Sequence, residues 1–153
     1  MPGKRVLAAG KFDILHLGHL AYLNQARQLA GEDGELVVVI ALDKTIEKQR
    51  GAPPVFPQEQ RRRLVESLDA VDRAVLGYDI EDQSLIVHDI KPDIVALGYD
   101  QNANTAAIEK RLAEAGLSTQ IIRLEKMKAD GLCSSTLIRK RIIDYYRDNG
   151  RAR

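Results

Sequence analysis

The chain has 153 residues, which is room for one domain of ordinary size, since single domains run to roughly 100–200 residues. Hydrophobic residues make up 44% of the chain and charged residues 29%, a composition that excludes a disordered or collagen-like protein and indicates a globular one. The 23 Lys and Arg residues nearly balance the 22 Asp and Glu residues, which argues against a protein that binds nucleic acid or anionic membranes through its overall charge.

No stretch of the sequence resembles a membrane helix or a signal peptide. The longest unbroken apolar run, Leu36–Leu42, is far shorter than the roughly 20 residues of a membrane helix. Lys11 and Asp13 interrupt the region where a signal peptide would continue its apolar core. Cys133 is the single cysteine and cannot form an intramolecular disulfide, which suits a reducing compartment. We therefore expect a cytoplasmic protein with neither a membrane nor a nucleic acid as partner.

Short apolar runs alternate with longer segments of helical period, with no linker composition between them. The predicted strands are Arg5–Ala9, Leu36–Ala41, Arg73–Leu76, Asp93–Leu97 and Thr119–Leu124. The predicted helices are one that begins after His19, then Pro57–Leu68, Gln83–Ile90, Thr105–Ala115 and Ser134–Asn149, the last opening with the N-cap types Ser134 and Ser135. Because several strands are apolar throughout, both faces of the sheet should be covered, which favours parallel pairing. We predict an α/β fold, a single domain over residues 1–153 with a Rossmann-like, doubly wound, five-stranded parallel sheet.

Ligands of such a fold bind beyond the carboxyl ends of the strands, so the segments that follow the strands are the candidate functional regions. These segments are Gly10–His19, Asp43–Arg50, Gly77–Asp79, Gly98–Gln101 and Lys126–Ser135. Each of them contains polar residues or glycine.

The segment Gly10–His19, GKFDILHLGH, carries the strongest functional signal because it lies between the first strand and the first helix. A helix N-terminus presents free N–H groups and a partial positive charge, to which a phosphate binds. Gly18 lets the backbone approach such a ligand, and His16 and His19 can donate hydrogen bonds to phosphoryl oxygens. A single histidine is usually an ordinary surface or core residue, but the H-x-G-H spacing directly after a strand favours an anion site.

This segment resembles the hallmark G-x-F-D-x-x-H-x-G-H of the nucleotidyltransferase superfamily and of its cytidylyltransferase-like group. The hallmark residues present are Gly10, Phe12, Asp13, His16, Gly18 and His19. A second family motif, close to R-T-x-G-I-S-T-[ST], corresponds to KADGLCSS at Lys128–Ser135. Lys128 stands in place of the family's arginine, while Ser134 and Ser135 match.

Within the superfamily, Lys91–Gln101 most resembles the archaeal FAD synthases, which are FMN adenylyltransferases. Its L-G-Y-D-Q sequence follows the fourth predicted strand, where the base and ribose of the nucleotide would lie in this fold. Tyr99 is equally open to a role as a capping aromatic at the sheet edge, and Asp100 to a role as a turn residue. The H-x-G-H signature also occurs in class I aminoacyl-tRNA synthetases, but Lys126–Asp130 is not their K-M-S-K-S loop and 153 residues leave no room for an anticodon-binding domain.

The resemblance implies that ATP and FMN are the substrates and that FAD and pyrophosphate are the products. His16, His19 and Lys128 are the implied catalytic residues, with the histidines stabilising charge on the α- and β-phosphates and Lys128 holding the β- and γ-phosphates. The implied nucleotide-binding residues are Gly10, Lys11, Phe12, His16, Gly18, His19, Gly98, Tyr99, Asp100, Lys128, Ser134 and Ser135. Mg²⁺ is the implied divalent cation, accompanying the nucleotide with no protein ligand assigned. Asp13 is open to a structural or a metal role, and Lys11 to contact with the phosphate of the acceptor.

Two other interpretations stay open at this point. A cytidylyltransferase that uses CTP and glycerol 3-phosphate, or a related polyol phosphate, would share every H-x-G-H residue and differ in the base and acceptor pockets. A non-catalytic nucleotide-binding module is disfavoured because both histidines and the serine pair are intact. The family resemblance also implies a homodimer.

Three further segments receive structural interpretations. The consecutive arginines Arg61–Arg63 lie about 100° apart on a helix, so most should face solvent and at most one should enter the site. The loop Gly51–Pro57 contains three prolines and is favoured as a stiff connector over a lid. His88 receives no function.

Overall fold

The computed structural model describes residues 3–80, 84–101, 105–126 and 131–150, which alternate between strands and helices. The strands are β1 (Arg5–Gly10), β2 (Glu35–Ile40), β3 (Arg73–Leu76), β4 (Ile94–Leu97) and β5 (Gln120–Arg123). The helices are α1 (Leu17–Ala30), α2 (Asp43–Arg50), α3 (Gln58–Glu66), α4 (Ser84–Ile90), α5 (Thr105–Glu114) and α6 (Ser135–Asn149). Within the described ranges, no helix combines the length and the apolar character that crossing a bilayer requires.

The five strands pair in parallel in one sheet with the order β3-β2-β1-β4-β5. The chain builds outward from β1 through β2 to β3, then crosses back over the sheet to place β4 and β5 on the other side of β1. β1 and β4 are therefore neighbours at the point where the winding reverses. A crevice outside the carboxyl ends of two such strands is the usual ligand site of a doubly wound sheet. The predicted fold class is confirmed.

A hydrophobic cluster lies on each face of the sheet, which explains why the strands are apolar throughout. On one face α1 and α3 pack against the sheet, with Leu23 and Val65 against Val38 and its neighbours. On the other face α4 and α5 contribute Ile86 and Leu112 to the second cluster. Helix α6 differs from the rest because none of its residues is buried.

The predicted strands are confirmed to within about one residue at either end, but two helices need correction. Helix α1 begins at Leu17 rather than after His19, so the H-x-G-H motif forms its cap and first turn. Helix α2 occupies Asp43–Arg50, where the hydrophobic pattern predicts no helix. Its sequence DKTIEKQR has Ile46 as its single apolar residue, so it carries no hydrophobic period although Ile46 is fully buried. It ends at Gly51, whose φ of 77° lies in the left-handed region that glycine favours.

Arg61, the first of the three consecutive arginines in α3, is fully buried, whereas the third is exposed. Its guanidinium donates hydrogen bonds of 2.7–2.9 Å to four acceptors, which are the carbonyl oxygens of Lys11, Ala41 and Phe56 and the carboxylate of Asp43. Arg61 therefore joins the loops after β1 and β2 to the connector before α3. A charge can be buried in this way because nearly all of its donors are satisfied. Arg61 is the one of the three arginines that is buried, and helical spacing alone does not predict which of them it is.

Replacing Arg61 should destabilise the fold strongly. We expect Arg61→Met to lower the free energy of unfolding by about 3 kcal/mol or more, because each buried polar group left unsatisfied costs about 1–3 kcal/mol. Urea unfolding at neutral pH measures this difference. Arg63→Met on the exposed side of the same helix is the matched control and should stay within about 0.5 kcal/mol of the wild type. Equal effects of the two substitutions would contradict the structural role of Arg61.

Candidate active site

A cavity of about 890 Å³ opens at the carboxyl ends of β1 and β4, where the winding of the sheet reverses. Its volume lies near the upper end of the range for small-molecule sites, about 300–1,000 Å³. The sequence-predicted site residues that line it are Gly10, Lys11, Phe12, His16, Gly18, His19, Gly98, Tyr99, Asp100, Ser134 and Ser135. Lys128, the remaining predicted site residue, lies outside the described residues. The fold thus brings three distant segments of the chain to one cavity.

His16 and His19 form the cap of helix α1. His16 is the N-cap residue in an extended conformation, and its Nδ1 accepts a hydrogen bond of 3.1 Å from the amide of Gly18. The amide of His16 in turn donates to Nδ1 of His19 at 3.3 Å, which completes a reciprocal capping box. The two imidazole rings stack with their centroids 3.7 Å apart. The H-x-G-H spacing is therefore also a helix-capping device.

The capping box determines where each histidine carries its proton. In a neutral imidazole one ring nitrogen is a donor and the other an acceptor. Because Nδ1 of His16 and Nδ1 of His19 both accept backbone N–H groups, the proton of each neutral ring lies on Nε2. Each ring consequently has an Nε2–H available to donate to a ligand in the cavity.

Both histidines are neutral at physiological pH. Burial lowers the pKa of His16, and burial together with the neighbouring His16 ring lowers the pKa of His19 to about 4. The stacked arrangement disfavours two positive charges in direct contact. The pair is suited to donating hydrogen bonds without holding a fixed charge.

Gly18 allows the start of α6 to approach the start of α1. A Cβ atom at this position would lie 2.6 Å from the carbonyl oxygen of Cys133 and 3.0 Å from Nδ1 of His16. The close approach that requires glycine here is therefore to the chain itself. Any side chain at this position would displace the segment that leads into α6.

Ser134 caps helix α6 at the same cavity. Its backbone is extended and its Oγ accepts a hydrogen bond of 3.1 Å from the amide of Leu137, as the sequence pattern predicts. Ser135 is the first residue of the helix. Two helix N-termini, those of α1 and α6, thus open onto one cavity, and each presents N–H groups that are free of intrahelical partners.

Asp13 is a buried structural residue. Its carboxylate accepts hydrogen bonds of 2.9 Å from the amides of Val55 and Phe56 and lies 3.4 Å from Arg50 and 3.2 Å from Arg139. Burial by itself would raise the pKa of Asp13, but the hydrogen bonds from Phe56, Val55 and Arg50 outweigh it and hold that pKa below its usual value. With both oxygens engaged, the structure favours the structural role over the metal role. The Asp13 carboxylate also anchors the proline-rich connector that the sequence predicts to be stiff.

Phe12 packs against the imidazole ring of His19. It is buried, its ring centroid lies 5.1 Å from that of His19, and its φ of 50° falls in the left-handed region that few non-glycine residues adopt. It also stacks on Tyr22 at 6.5 Å between centroids. The aromatic residue of the hallmark therefore fixes the position of the second imidazole.

Gln101 and Tyr22 join the carboxyl ends of β1 and β4, a role that sequence patterns do not reveal. The Gln101 amide group donates to the carbonyl oxygen of Ala9 and accepts from the amide of Gly98, both at 2.7 Å. The Tyr22 hydroxyl donates to the carbonyl oxygen of Ala96 at 2.6 Å, and burial raises its pKa. The sequence signal that could have indicated Gln101 is its position at the end of the L-G-Y-D-Q segment.

Tyr99 and Asp100 of that segment lie at the exposed part of the cavity wall. Tyr99 is about half exposed, and the Lys126 ammonium lies 5.5 Å from the centroid of its ring. Asp100 is exposed. His88 lies on α4 beside Asp89, and it is not among the residues that line the cavity.

The chain is similar over most of its length to a known family and to named relatives. Residues 7–141 match the family described as cytidylyltransferase-like. The FAD synthase of Methanopyrus kandleri is 45% identical over 145 residues, which cover 95% of each chain. The FAD synthase of Thermoplasma acidophilum is 41% identical over 140 residues, which cover 92% of this chain and 94% of the relative. Among solved structures, a protein from Thermoplasma volcanium described as a lipopolysaccharide core biosynthesis protein has a TM-score of 0.74 at 40% identity, covering 82% of this chain and 99% of the other.

Acid should destabilise the protein through the histidine pair. An unfolded imidazole titrates at about pH 6.5, whereas in the folded chain the pKa of His16 is lowered and that of His19 is about 4. The unfolded state therefore binds more protons between these values, and the free energy of unfolding falls as pH falls from about 6.5 towards 4.

Urea unfolding across this pH window measures the effect. The double variant His16→Gln/His19→Gln should lose less stability than the wild type on the same descent, because its groups do not titrate. A double variant that follows the wild-type curve would contradict the assignment.

Proposed function

Since the chain belongs to the cytidylyltransferase-like family, we propose that it is an FMN adenylyltransferase that transfers AMP from ATP to FMN and forms FAD and pyrophosphate. The observation that carries this function is the similarity to FAD synthases at 41–45% identity over nearly the whole chain. The similarity includes the site, because the H-x-G-H segment, the segment after β4 and the start of α6 all lie within the matched residues 7–141.

The reaction needs hydrogen-bond donors more than it needs a base. The nucleophile is a phosphate oxygen of FMN, which at neutral pH is already largely deprotonated because the second pKa of a phosphate monoester is about 6. This oxygen bonds to the α-phosphorus of ATP while the bond from that phosphorus to the bridging oxygen of pyrophosphate breaks. Catalysis of such a transfer consists of positioning and of stabilising charge on the phosphoryl oxygens.

His16 and His19 are suited to that task. Their Nε2–H groups point away from the capping box, which engages Nδ1 of both rings. In our proposal they donate to oxygens of the α- and β-phosphates, where negative charge grows as pyrophosphate leaves. Because both rings are neutral in the resting site, they donate without binding the product pyrophosphate as a pair of cations would.

The helix N-termini and the lysines complete the proposed phosphate site. The N-terminus of α6, with Ser134 and Ser135, would hold the β- and γ-phosphates, and Lys128 would add a positive charge there. Lys11 is exposed at the cavity and follows β1 directly, so it would contact the phosphate of FMN. The segment Gly98–Asp100 would flank the base and ribose of ATP.

Mg²⁺ would enter this site with the nucleotide. In the described ranges no three His, Cys, Asp or Glu side chains are grouped as a metal cage. Mg²⁺ is commonly held by substrate phosphates and one or two carboxylates. Asp100 and Glu125 are carboxylates of the cavity wall that could contribute. When bound, the ion would neutralise charge on the triphosphate.

Three further properties belong to this proposal. We propose that the enzyme is a homodimer, as its family resemblance implies, with only small molecules as substrates. The near balance of 23 basic and 22 acidic residues supports the absence of a nucleic-acid or membrane partner. The single cysteine supports a cytoplasmic location.

Product analysis tests the proposed function directly. Incubation with Mg²⁺, ATP and FMN should give FAD and pyrophosphate, and replacing ATP by CTP should lower the rate by roughly a hundredfold, because each unpaired polar group at a mismatched base costs about 1–3 kcal/mol. Chromatography identifies the products. Consumption of CTP with glycerol 3-phosphate, together with no FAD from ATP and FMN, would overturn the proposal in favour of a polyol-phosphate cytidylyltransferase.

Removing either imidazole should slow turnover. We expect His16→Ala and His19→Ala each to lower kcat by roughly 10²–10³, the typical loss when one donor to a developing negative charge is removed. Rates of FAD formation at saturating ATP and FMN measure this, alongside thermal unfolding, because losing the cap itself costs about 1 kcal/mol of stability. His88→Ala is the control and should keep the wild-type kcat. A folded His16→Ala or His19→Ala enzyme with near wild-type kcat would refute the assigned role.

A further inference from the structure

The cavity extends over both faces of the sheet, and the residues discussed so far account for one side of it. On that side lie the start of α1, the segment after β5 and the start of α6, including Gln25, Lys126 and Ser134. The other part is lined by the carboxyl ends of β1, β2 and β4 together with α4 and α5. We call this part the apolar lobe and define it by Ala9, Val39, Ala41, Ile86, Leu97 and Ile108.

The apolar lobe exists because the strand side chains become small at their carboxyl ends. Leu7 and Val39 belong to the hydrophobic cluster on this face of the sheet, with exposed fractions of 3% and 6%. Ala9 lies two residues after Leu7, and Ala41 lies two residues after Val39, on the same side of the chain. Both alanines are only partly buried and line the cavity. A methyl group in place of a branched side chain, once in β1 and once directly after β2, leaves a space above the cluster.

The walls of this space are almost entirely apolar. Ile86 on α4 and Ile108 on α5 face it from the helices that cover the sheet, and Tyr78 adds an aromatic ring at its rim. The polar side chains that α2 contributes to the described lining are Thr45, Gln49 and Arg50, at the edge, and the Arg50 guanidinium is paired with Asp13. Hydroxyl groups of a polyol would lose hydrogen bonds against such walls, whereas a planar aromatic ring gains from burial there.

The phosphate site lies between the two parts of the cavity. His16 and His19 follow β1, and Lys11 lies beside them at the carboxyl end of the same strand. A triphosphate that extends from the histidines to the start of α6 places its pyrophosphate part on one face of the sheet. An acceptor that attacks the α-phosphorus in line must then come from the opposite side, which is the side of the apolar lobe.

We propose, building on the proposed function, that the apolar lobe holds the isoalloxazine ring of FMN and thereby selects a flavin phosphate over a small polyol phosphate. The ring lies on the face of the sheet covered by α4 and α5. The ribityl chain passes Thr45 and Gln49, and the phosphate reaches Lys11. Acceptor choice therefore depends on packing, in a part of the cavity separate from the shared H-x-G-H residues.

Riboflavin is a suitable probe because it has the ring and the ribityl chain of FMN but no phosphate. Its binding to the wild-type protein is measured by quenching of flavin fluorescence, and its inhibition of FAD formation is measured against each substrate. We expect riboflavin to compete with FMN and not with ATP. Competition with ATP, or no quenching at all, would overturn the assignment of the lobe.

Two substitutions locate the ring. Ala41→Leu refills the space, and we expect the KM for FMN and the inhibition constant of riboflavin to rise by about tenfold or more, with the KM for ATP unchanged. Ile108→Asn makes one wall polar with the same number of side-chain heavy atoms and should act in the same direction. Ala113→Leu, at an exposed position of α5, is the matched control and should change none of these constants.

The outcomes separate this inference from the proposed function. If the wild type forms no FAD from ATP and FMN, the proposed function fails, and riboflavin quenching in the wild type and in Ile108→Asn still tests the lobe. If the wild type forms FAD but folded Ala41→Leu and Ile108→Asn bind riboflavin as the wild type does, the lobe assignment fails and the function stands. Thermal unfolding identifies a variant that does not fold. For such a variant, the inhibition of the wild type by riboflavin decides whether the lobe assignment holds.

Discussion

The buried carboxylate of Asp13 holds in place the loops on which the phosphate site is built. An isolated carboxylate at 4% exposure would be strongly destabilising, so its position depends on the donors around it. Two backbone amides of the connector before α3 and the guanidinium groups of Arg50 and Arg139 supply those donors. The hallmark loop is thereby joined to α2 on one side and to α6 on the other, which brings the two helix N-termini of the site to a defined separation.

Arg61 complements this carboxylate from the neighbouring loop. Its guanidinium bonds the carbonyl oxygen of Lys11, two residues before Asp13, and the carbonyl oxygen of Ala41 after β2. The loops at the carboxyl edge of the sheet are thus fixed by two buried charges of opposite sign that do not pair with each other. Charges used in this way give directional bonds to backbone groups that apolar packing cannot satisfy. Rigidity at this edge matters because phosphoryl transfer gains most from exact placement of donors.

The electrostatics of the cavity suit the charges of its proposed substrates. ATP and FMN would bring several negative phosphate oxygens to one point, and the proposed phosphate site would meet them with helix N-termini, neutral imidazole donors and lysines. In the proposed reaction, neutral histidines would stabilise a growing charge in the transition state while adding little to the binding of the product pyrophosphate. Away from the phosphates the cavity becomes apolar. The chemistry and the choice of acceptor can therefore be carried by different residues in one small domain.

The sequence by itself determined the sheet, the position of the motif and the cap of the last helix. Continuous apolar strands need cover on both faces, so their pattern predicts a parallel sheet, and Ser134 caps α6 through a bond to Leu137 within one turn. These are local or periodic signals. The hydrophobic pattern does not predict helix α2, because Ile46 is its single apolar residue and one residue gives no helical period.

The tertiary structure alone decided which charges are buried and what they bond. The partners of Asp13 lie 43 and 126 residues away at Phe56 and Arg139, and Gln101 bonds the carbonyl oxygen of Ala9 across 92 residues. No spacing rule reaches such distances, because these contacts form only where parallel strands bring their carboxyl ends to one edge. The apolar lobe has the same origin, since the small side chains of Ala9 in β1 and of Ala41, which follows β2, line one cavity only because β1 and β2 pair in parallel and end at the same edge of the sheet.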